Sequence, residues 1–431
     1  MGHKEFSHTK GFYLVALMLV VFILHPLNLF AEDKQLEKTF KVEVKDKLIS
    51  VDVQDAELSE VLKEIERGTG VWISVGKDLT GKKITANFEN LDIESALREI
   101  LRDNYYVFTF EQDPKNKEKR ILKEVKAEGT IIGSKPYKGR MITIDIPYGN
   151  GKGEVGGIKG EEGSSVGPPS FAVDNAGNIY ILDTVNNRVQ IYSNDGKYQL
   201  TVLLQKDTFA SDIAVDKYGS IYIYDRSVRK LYQYEKNGNM VTSIDIDERR
   251  WGGGGTIHII DNEIYIYACD SYTCGDFIVG RTLFDNLLVG PSVEETKRFK
   301  EKGKGGLSGK KYMTGLKGFE KGELEIKEKD STTFKAMSFP IRGIQSIEFV
   351  GEDKRVDNYL KTARYDENKG IVVEVHKFSF DNDYLCTITM PKSYIFFVPN
   401  REYFVNKDGT VYRLLPESDK LRLEIFQSED N

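Results

Sequence analysis

The sequence has little of the residue types that most often carry metal binding or nucleophilic chemistry. Histidine occurs five times and cysteine three times in 431 residues. The sequence therefore offers no recognisable ligand set for a metal ion, and we predict neither a metal nor another cofactor. Positive charge is not in excess, because 61 lysines and arginines stand against 67 acidic residues, for a net charge of −6. A general nucleic-acid-binding protein needs surplus positive charge, so nucleic acid is not an expected partner.

One long apolar run is present near the N-terminus. It extends from Phe12 to Leu24, after Lys4 and Lys10, and a small residue, Ala31, follows before acidic residues begin. This order is typical of a secretory signal peptide at residues 1–31 and predicts a periplasmic or extracellular protein. The run is shorter than the ~20 residues that a spanning helix needs. An uncleaved membrane anchor is the alternative.

The three cysteines are Cys269, Cys274 and Cys386. In an oxidising compartment Cys269 and Cys274 are close enough in sequence to form a disulfide at the end of a strand. Two free thiols are the equal alternative. No cysteine stands directly after the apolar run, so a lipid-anchored lipoprotein is not expected.

The length exceeds that of one typical core, and the patterning divides the chain into two domains. Residues 44–125 read as strand, helix, strand, strand, helix, strand. Apolar residues recur at helical spacing between Leu58 and Ile65, and Asp92 is a favourable N-cap for the second helix. We predict a small α+β domain of βαββαβ order, after a linker at 32–43 and before a linker at 126–140.

This first domain resembles a known module in its two helical segments. The stretches VQDAELSEVLKEIERGTGVWISV and NFENLDIESALREIL are similar to the short N-terminal domain of secretins and TonB-dependent receptors. The resemblance implies a small domain that docks onto another protein of the cell envelope. It implies no catalytic residues. A generic α+β domain is the alternative.

The second part of the chain contains a repeat. FAVDNAGNIYILDTVNNRVQIYSNDG, residues 171–196, returns 42 positions later as IAVDKYGSIYIYDRSVRKLYQYEKNG. A period of about 40–45 residues with four short strands is typical of a β-propeller blade. The central strands of a blade bury both faces, which explains the nearly continuous apolar runs IYILD and IYIYD.

The repeats resemble the NHL family of β-propellers, most closely at residues 168–196. A third copy at 256–280 has lost part of the pattern, and later segments diverge. We predict an all-β propeller over 141–431 with five or six blades, six being favoured. Residues 141–147 are expected to pair with the last blade and close the ring, which would leave no exposed strand edge.

Two pairs of charged residues occupy equivalent places in the repeats. Asp183 and Arg188 flank one turn, and Asp225 and Lys230 flank its counterpart. Opposite charges kept in register predict an ion pair across each hairpin. Such a pair would contribute about 0–1 kcal/mol if exposed to solvent. These residues are therefore interpreted as part of the blade rather than as ligands.

No catalytic residue is predicted. The formal GxSxG match at 163–167 places Ser165 after a glycine-rich loop and before a strand, whereas a nucleophile elbow needs a strand followed by a helix. The glycine-rich stretch 149–167 lacks the phosphate-binding pattern. His258 and His376 fall in different blades and are interpreted as ordinary strand residues.

Two weak candidates for binding remain. Trp251 lies in the connection RRWGGGG, where it could line one face of the ring or simply be packed. A charged insertion near 291–311 contains Lys302 and Lys304. It could meet an acidic partner or be a solvated loop.

Together these features predict an exported bacterial envelope protein with a non-enzymatic binding or scaffold role. Its expected partner is an envelope protein or a glycan, with membrane contact only through an uncleaved anchor. The alternative is a propeller enzyme, a metal-dependent hydrolase or lyase with its site in the central channel.

Overall fold

The structure is a computed structural model, and residues Thr39–Asn431 form one compact unit in it. The residues it describes are 39–129, 132–160, 165–206, 208–246, 255–269, 274–282, 288–289, 301–302, 304–308, 310–317, 321–327, 331–392 and 397–429. The signal peptide, Trp251 and most of the charged insertion lie outside these residues. None of the helices among the described residues is long and apolar enough to cross a membrane.

The first part of the described chain has the element order predicted for residues 44–125, with one strand added at each end. The elements are β1 (Phe40–Lys45), β2 (Leu48–Glu57), α1 (Leu58–Thr69), β3 (Trp72–Val75), β4 (Lys83–Asp92), α2 (Ile93–Ile100), β5 (Tyr105–Asp113) and β6 (Asn116–Glu128). They form two sheets, of which one has the order β1-β2-β4 and the other contains β5, β6 and β3.

The two helices end and begin where the sequence indicates. The apolar stripe of α1 is fully buried. The helix ends at Gly70, whose φ of 72° suits glycine and whose N–H bonds to the carbonyl of Glu66. At the start of α2 the Asp92 carboxylate accepts a hydrogen bond from the backbone N–H of Ser95 at 3.0 Å. Hydrogen bonds from Ser95 lower the pKa of Asp92.

The rest of the chain folds into small antiparallel sheets, which we name A to F. Strand β7 (Gly139–Pro147) comes first. Sheet A contains β8 (Ser170–Val173), β9 (Ile179–Asp183), β10 (Arg188–Tyr192) and β11 (Tyr198–Leu203). Sheet B contains β12 (Ala210–Val215), β13 (Ile221–Asp225), β14 (Lys230–Tyr234) and β15 (Met240–Asp245). Sheet C contains β16 (Gly255–Ile260), β17 (Glu263–Cys269), β18 (Cys274–Thr282), β19 (Leu288–Val289) and β20 (Glu301–Lys302).

The remaining three sheets complete the chain. Sheet D contains β21 (Lys304–Gly305), β22 (Lys311–Lys317), β23 (Lys321–Lys327) and β24 (Thr333–Pro340). Sheet E contains β25 (Ile344–Glu352), β26 (Asn358–Asp366), β27 (Gly370–Phe378) and β28 (Tyr384–Thr389). Sheet F contains β29 (Tyr403–Val405), β30 (Val411–Pro416) and β31 (Lys420–Ser428) together with β7.

Neighbouring sheets pack face to face around a ring. Every residue of β9, β10 and β13 is buried, as expected for central strands covered on both sides. One apolar cluster joins sheets A and B, another joins B and C, and others join D with E and E with F. A further cluster joins sheet F to sheet A. The arrangement is a propeller-like β fold.

The ring is closed by a strand from each end of this region. β7 pairs antiparallel with β31, with Ile144 opposite Leu423. The pairing predicted for residues 141–147 is confirmed. It pairs the outer edge of β31 with another strand of the same chain, which makes β7 the outermost strand of sheet F.

The first part of the chain is joined to sheet D by a continuous sheet. β5 pairs antiparallel with β24, which gives one seven-stranded sheet of order β21-β22-β23-β24-β5-β6-β3. Phe334 and Ala336 of β24 pack in the core of the small unit, and Arg98 of α2 forms an ion pair with Glu323 of β23. The boundary predicted at residue 125 falls within β6, which ends at Glu128.

The shared core predicts that the small unit and sheet D lose structure together. Replacing Phe334 with alanine should lower the free energy of unfolding by about 1–2 kcal/mol, because the ring is only partly buried. Hydrogen exchange should then quicken in α1 and in β24 by the same factor. Tyr365→Ala, at an exposed position of sheet E, is the control and should change neither. Faster exchange in β24 alone would show that the two parts are independent.

Candidate functional site

A cavity of about 1000 Å³ lies where the first strands of the sheets meet. Strands β8, β12, β16, β21, β25 and β29 supply most of its wall. Among the described residues, seven lysines and arginines and five carboxylates line it. The cavity is therefore positively charged on balance in a protein whose net charge is negative.

A buried carboxylate ties four strands together beside the cavity. Asp212 of β12 is fully buried. It accepts hydrogen bonds from the Arg401 guanidinium at 2.6 Å, from the backbone N–H of Ile257 at 2.6 Å and from the hydroxyl of Ser170. These donors come from near β29, from β16 and from β8. Asp212 therefore links its own strand, β12, to the first strands of three other sheets, and both of its carboxylate oxygens accept hydrogen bonds.

A second buried carboxylate lies between sheets C and D. Asp276 accepts hydrogen bonds from Lys311 Nζ at 2.8 Å and from the N–H of Gly305, and its other oxygen is 3.3 Å from His258 Nε2. Burial alone would raise the pKa of Asp276, but its interactions with His258 and Lys311 lower it to about 2. His258 lines the cavity and stacks on Tyr265, with ring centroids 5.7 Å apart.

Three charged side chains from sheets D and E, Glu348, Lys361 and Lys304, line the cavity together. Glu348 pairs with Lys361 Nζ at 2.6 Å. Burial would raise the pKa of Glu348, but Lys361 and Lys304 together lower it below its usual value. Lys304 Nζ donates to the carbonyl of Phe349 at 3.3 Å, and no carboxylate forms an ion pair with it among the described residues. Burial lowers the pKa of Lys304, against the opposing effect of Glu348.

The turn after the first strand has the same structure in three sheets. Asp174, Asp216 and Asp353 each accept backbone N–H bonds from the residues two and four positions later. Each also accepts, at 3.0 Å, a hydrogen bond from the hydroxyl of the tyrosine six positions later. In each of these turns the N–H of the aspartate also bonds to the carbonyl of the residue four positions later. The turn after β29 has the equivalent bond, from Asn406 N–H to the carbonyl of Thr410. Local bonds of this kind fix the turn conformation.

The residue after the capping side chain in each of these turns lines the cavity. These residues, which we call the collar, are Asn175, Lys217, Lys354 and Lys407. All four are at the ends of inner strands, and the three lysines are exposed, which places the collar at a mouth of the cavity. The sequence contains a signal for the collar. An Asp or Asn followed six positions later by Tyr recurs at 353–359 and 406–412, in the segments that diverge from the repeat.

The predicted ion pair between Asp183 and Arg188 is present, at 2.8 Å, but it is buried rather than exposed. Arg188 also donates to the carbonyls of Asn150 and Glu154, each at 2.8 Å, and Gly156 N–H donates to Asp183. The pair therefore anchors the glycine-rich connection at 149–157 onto sheet A.

The equivalent pair in sheet B does not form. Lys230 pairs with Asp245 at 3.1 Å. Asp225 instead accepts hydrogen bonds from the N–H groups of Phe209 and Ser227. The physical reason is that lysine has a single charged nitrogen and lacks the fork with which Arg188 reaches both the aspartate and backbone carbonyls.

The other residues singled out from the sequence are placed as follows. Lys304 lies in the cavity wall, whereas the side chain of Lys302 and all of Trp251 lie outside the described residues. Cys269 and Cys274 are paired positions of β17 and β18, and their side chains are likewise not described. Ser165 precedes a single bridge between Val166 and Ile158.

His376 is buried between two threonines of sheet E and does not reach the cavity wall. Among the described residues there is no group of three or more histidine, cysteine or acidic side chains that could hold a metal ion.

The fold and the cavity define a propeller-like β protein with a charged central cavity. No family model matches the chain, and no curated protein sequence matches it significantly. Solved structures with similarity include the virginiamycin B lyase of Staphylococcus aureus in complex with quinupristin, at 11% identity and a TM-score of 0.36, over 66% of this chain and 99% of that one.

Two further structures give comparable values. A member of the DUF4221 family from Bacteroides vulgatus has 10% identity and a TM-score of 0.35 over 75% of this chain and 99% of its own. A gluconolactonase from Xanthomonas campestris has 11% identity and a TM-score of 0.34 over 60% and 85%. At such TM-scores these similarities carry no argument about function.

Proposed function

We propose that this chain is an exported protein of the bacterial cell envelope that binds a ligand in its central cavity without transforming it. In this proposal sheets A to F are the six blades of an NHL-like propeller, and residues 1–31 direct export. The small unit is a domain of the secretin and TonB type. The small unit contacts envelope machinery. Because it is joined to sheet D, it holds the propeller at a constant angle to that machinery.

The state of three buried carboxylates in and beside the cavity wall is the observation that favours binding over catalysis. A general acid or base works best with a pKa near the working pH. The pKa of Asp276 is held at about 2, and that of Glu348 is below its usual range. Asp212 is occupied by Arg401 and two further donors. These groups stabilise the wall and are poorly suited to proton transfer at neutral pH.

Filling the cavity should abolish binding. Thr256 of β16 is partly exposed and lines the cavity, so Thr256→Trp would occupy part of it. The protein is incubated with a small-molecule extract of cell envelopes, reisolated, and its bound compounds are identified by mass spectrometry. We expect one class of compound to be enriched at least tenfold on the unmodified protein and not on Thr256→Trp.

Tyr365→Trp adds the same indole to an exposed position of sheet E that is away from the cavity and should bind like the unmodified protein. Equal enrichment on Thr256→Trp would contradict a cavity site. Chemical conversion of the bound compound during incubation would instead identify the chain as an enzyme.

A further inference from the structure

The three collar lysines and Lys304 have no carboxylate paired with them among the described residues. Lys217, Lys354 and Lys407 form no ion pair within the described part of the chain. Lys354 and Lys407 lie on adjacent turns, joined by a backbone hydrogen bond of 2.8 Å from Lys354 N–H to the carbonyl of Lys407. Charges of one sign brought together at the mouth of a cavity attract an oppositely charged ligand.

The collar positions are held rigidly although their side chains are exposed. The turns that present Lys217 and Lys354 are fixed by carboxylates that are themselves nearly or fully buried, Asp216 and Asp353. The ordering of the backbone is thus complete before any ligand arrives, and only the lysine side chains lose freedom on binding. Such preorganisation increases affinity.

The interior of the cavity continues the same pattern. Among the carboxylates in and beside the cavity, Asp212 is paired with Arg401, Asp276 with Lys311 and Glu348 with Lys361, whereas the buried Glu352 accepts hydrogen bonds from Ser308 and Tyr312. Lys304 differs from Arg401, Lys311 and Lys361, because in the described part of the chain its ammonium bonds only to a backbone carbonyl and lies beside the ring of Tyr267, at 5.9 Å. A ligand that enters past the collar therefore meets an unmatched positive charge at depth.

We propose that the ligand of the cavity is an oligoanion, a short chain carrying several carboxylate or phosphate groups, bound by Lys217, Lys354 and Lys407 at the mouth and by Lys304 inside. This rests on the proposed function and names its ligand class. Asp261, in the turn after β16 of sheet C, also lines the cavity and is a carboxylate, so the positive collar charge comes from sheets B, E and F.

The test uses two probes that separate the two sources of anionic charge. Tripolyphosphate represents phosphate chains, tetragalacturonate represents acidic glycans, and maltotetraose is the neutral control. Titration calorimetry on the full mature chain should show saturable binding of one of the two anions, weakening with added salt, and none of maltotetraose. Tighter binding of maltotetraose than of either anion would overturn the proposal.

The collar is tested by substitution. Each of Lys217→Met, Lys354→Met and Lys407→Met should weaken anion binding about threefold to tenfold, and Asp261→Asn should leave it unchanged or strengthen it. Lys236→Met is the matched control, because Lys236 is exposed and does not line the cavity. If the triple collar variant binds the anion as well as the control does, the collar is not the site.

Failure of this inference is distinguishable from failure of the proposed function. If Thr256→Trp loses the anion while the triple collar variant keeps it, the cavity is a binding site and the collar assignment is wrong. If neither variant affects the anion, the cavity is not the site at all.

Lys304 offers a readout that a structural role would not give. Its charged neighbours are Arg401 and three carboxylates, Glu348, Asp276 and Asp212, each of which has a cation of its own. A bound anion should favour the charged amine, so binding at alkaline pH should take up a proton, measured as a dependence of the binding heat on the ionisation enthalpy of the buffer. Lys304→Gln should abolish this uptake. Unchanged uptake in that variant would exclude Lys304 from the site.

Discussion

Arg188→Met is expected to lower the free energy of unfolding by about 3–5 kcal/mol, which is the usual effect of leaving a buried charge without its partner. Asp183 is fully buried, and the Arg188 guanidinium bonds to it and to the carbonyls of Asn150 and Glu154. Methionine keeps the bulk of the side chain and removes all of these donors. Denaturation by urea, followed by circular dichroism, measures the change.

The chain contains a matched control for this experiment. Lys230 occupies the same place in sheet B, but its partner Asp245 is 83% exposed. Lys230→Met should therefore change the free energy of unfolding by at most about 0.5 kcal/mol. Equal effects of the two substitutions would mean that burial of the Asp183–Arg188 pair does not govern its contribution. Adding Asp183→Asn to Arg188→Met should recover part of the loss, because it removes the unpaired charge.

Acid is expected to destabilise the fold through His376, beginning near pH 6.5. The imidazole is buried, with Nε2 2.8 Å from the hydroxyl of Thr362 and Nδ1 2.7 Å from that of Thr387. Burial, with a smaller effect of Arg364, lowers the pKa of His376 from 6.5 to about 3. In the neutral ring one nitrogen donates and the other accepts, and both hydroxyls can match this.

The direction of the effect follows from proton binding. Below pH 6.5 the unfolded chain takes up a proton at His376, whereas the folded chain does not until the pH approaches 3. The stabilisation is therefore complete above pH 6.5 and is lost as the pH falls toward 3, by about 1.4 kcal/mol per pH unit. Between pH 6.5 and 4.5 this amounts to about 2–3 kcal/mol.

Comparison with His376→Gln isolates the contribution of this one residue. Glutamine keeps a donor and an acceptor for the two threonines and does not titrate. The free energy of unfolding of the variant should be lower at pH 7.5, and it should decline with falling pH less steeply than that of the original protein. Parallel curves for the two proteins would show that His376 does not carry this pH dependence.

The architecture of the two clear repeats could be predicted from the sequence because its signals are local. Strands β9 and β13 are apolar on both faces, the turns contain the expected Asp and Gly, and the pairing of 141–147 with the last strand follows from the need to close a ring. Sheets D, E and F were harder to predict, because strands such as β23 and β31 alternate polar with apolar residues. What remained of the repeat in sheets E and F was a capping residue, Asp353 or Asn406, with a tyrosine six positions later.

The joining of β5 to β24 could not be predicted, and neither could the cavity. Nothing in the sequence near Tyr105 indicates a partner strand more than 200 positions away, and the ion pair of Arg98 with Glu323 spans 225 positions. The cavity lysines come from separate sheets and are close only because the ring closes. The sequence shows Lys304 only as one residue of a basic stretch. Its place in the cavity wall could not be predicted, because it depends on how sheets C, D and E pack together.

Closure of the ring by β7 and β31 has a consequence for biogenesis. Arg140 in β7 bonds to Gln427 in β31, 287 positions later. This seam cannot assemble until the last strand has been synthesised, and contacts of such sequence separation form slowly. Until then β7 and β30 each have an unpaired edge, so removal of the final nine-residue strand should leave the chain prone to aggregation and proteolysis.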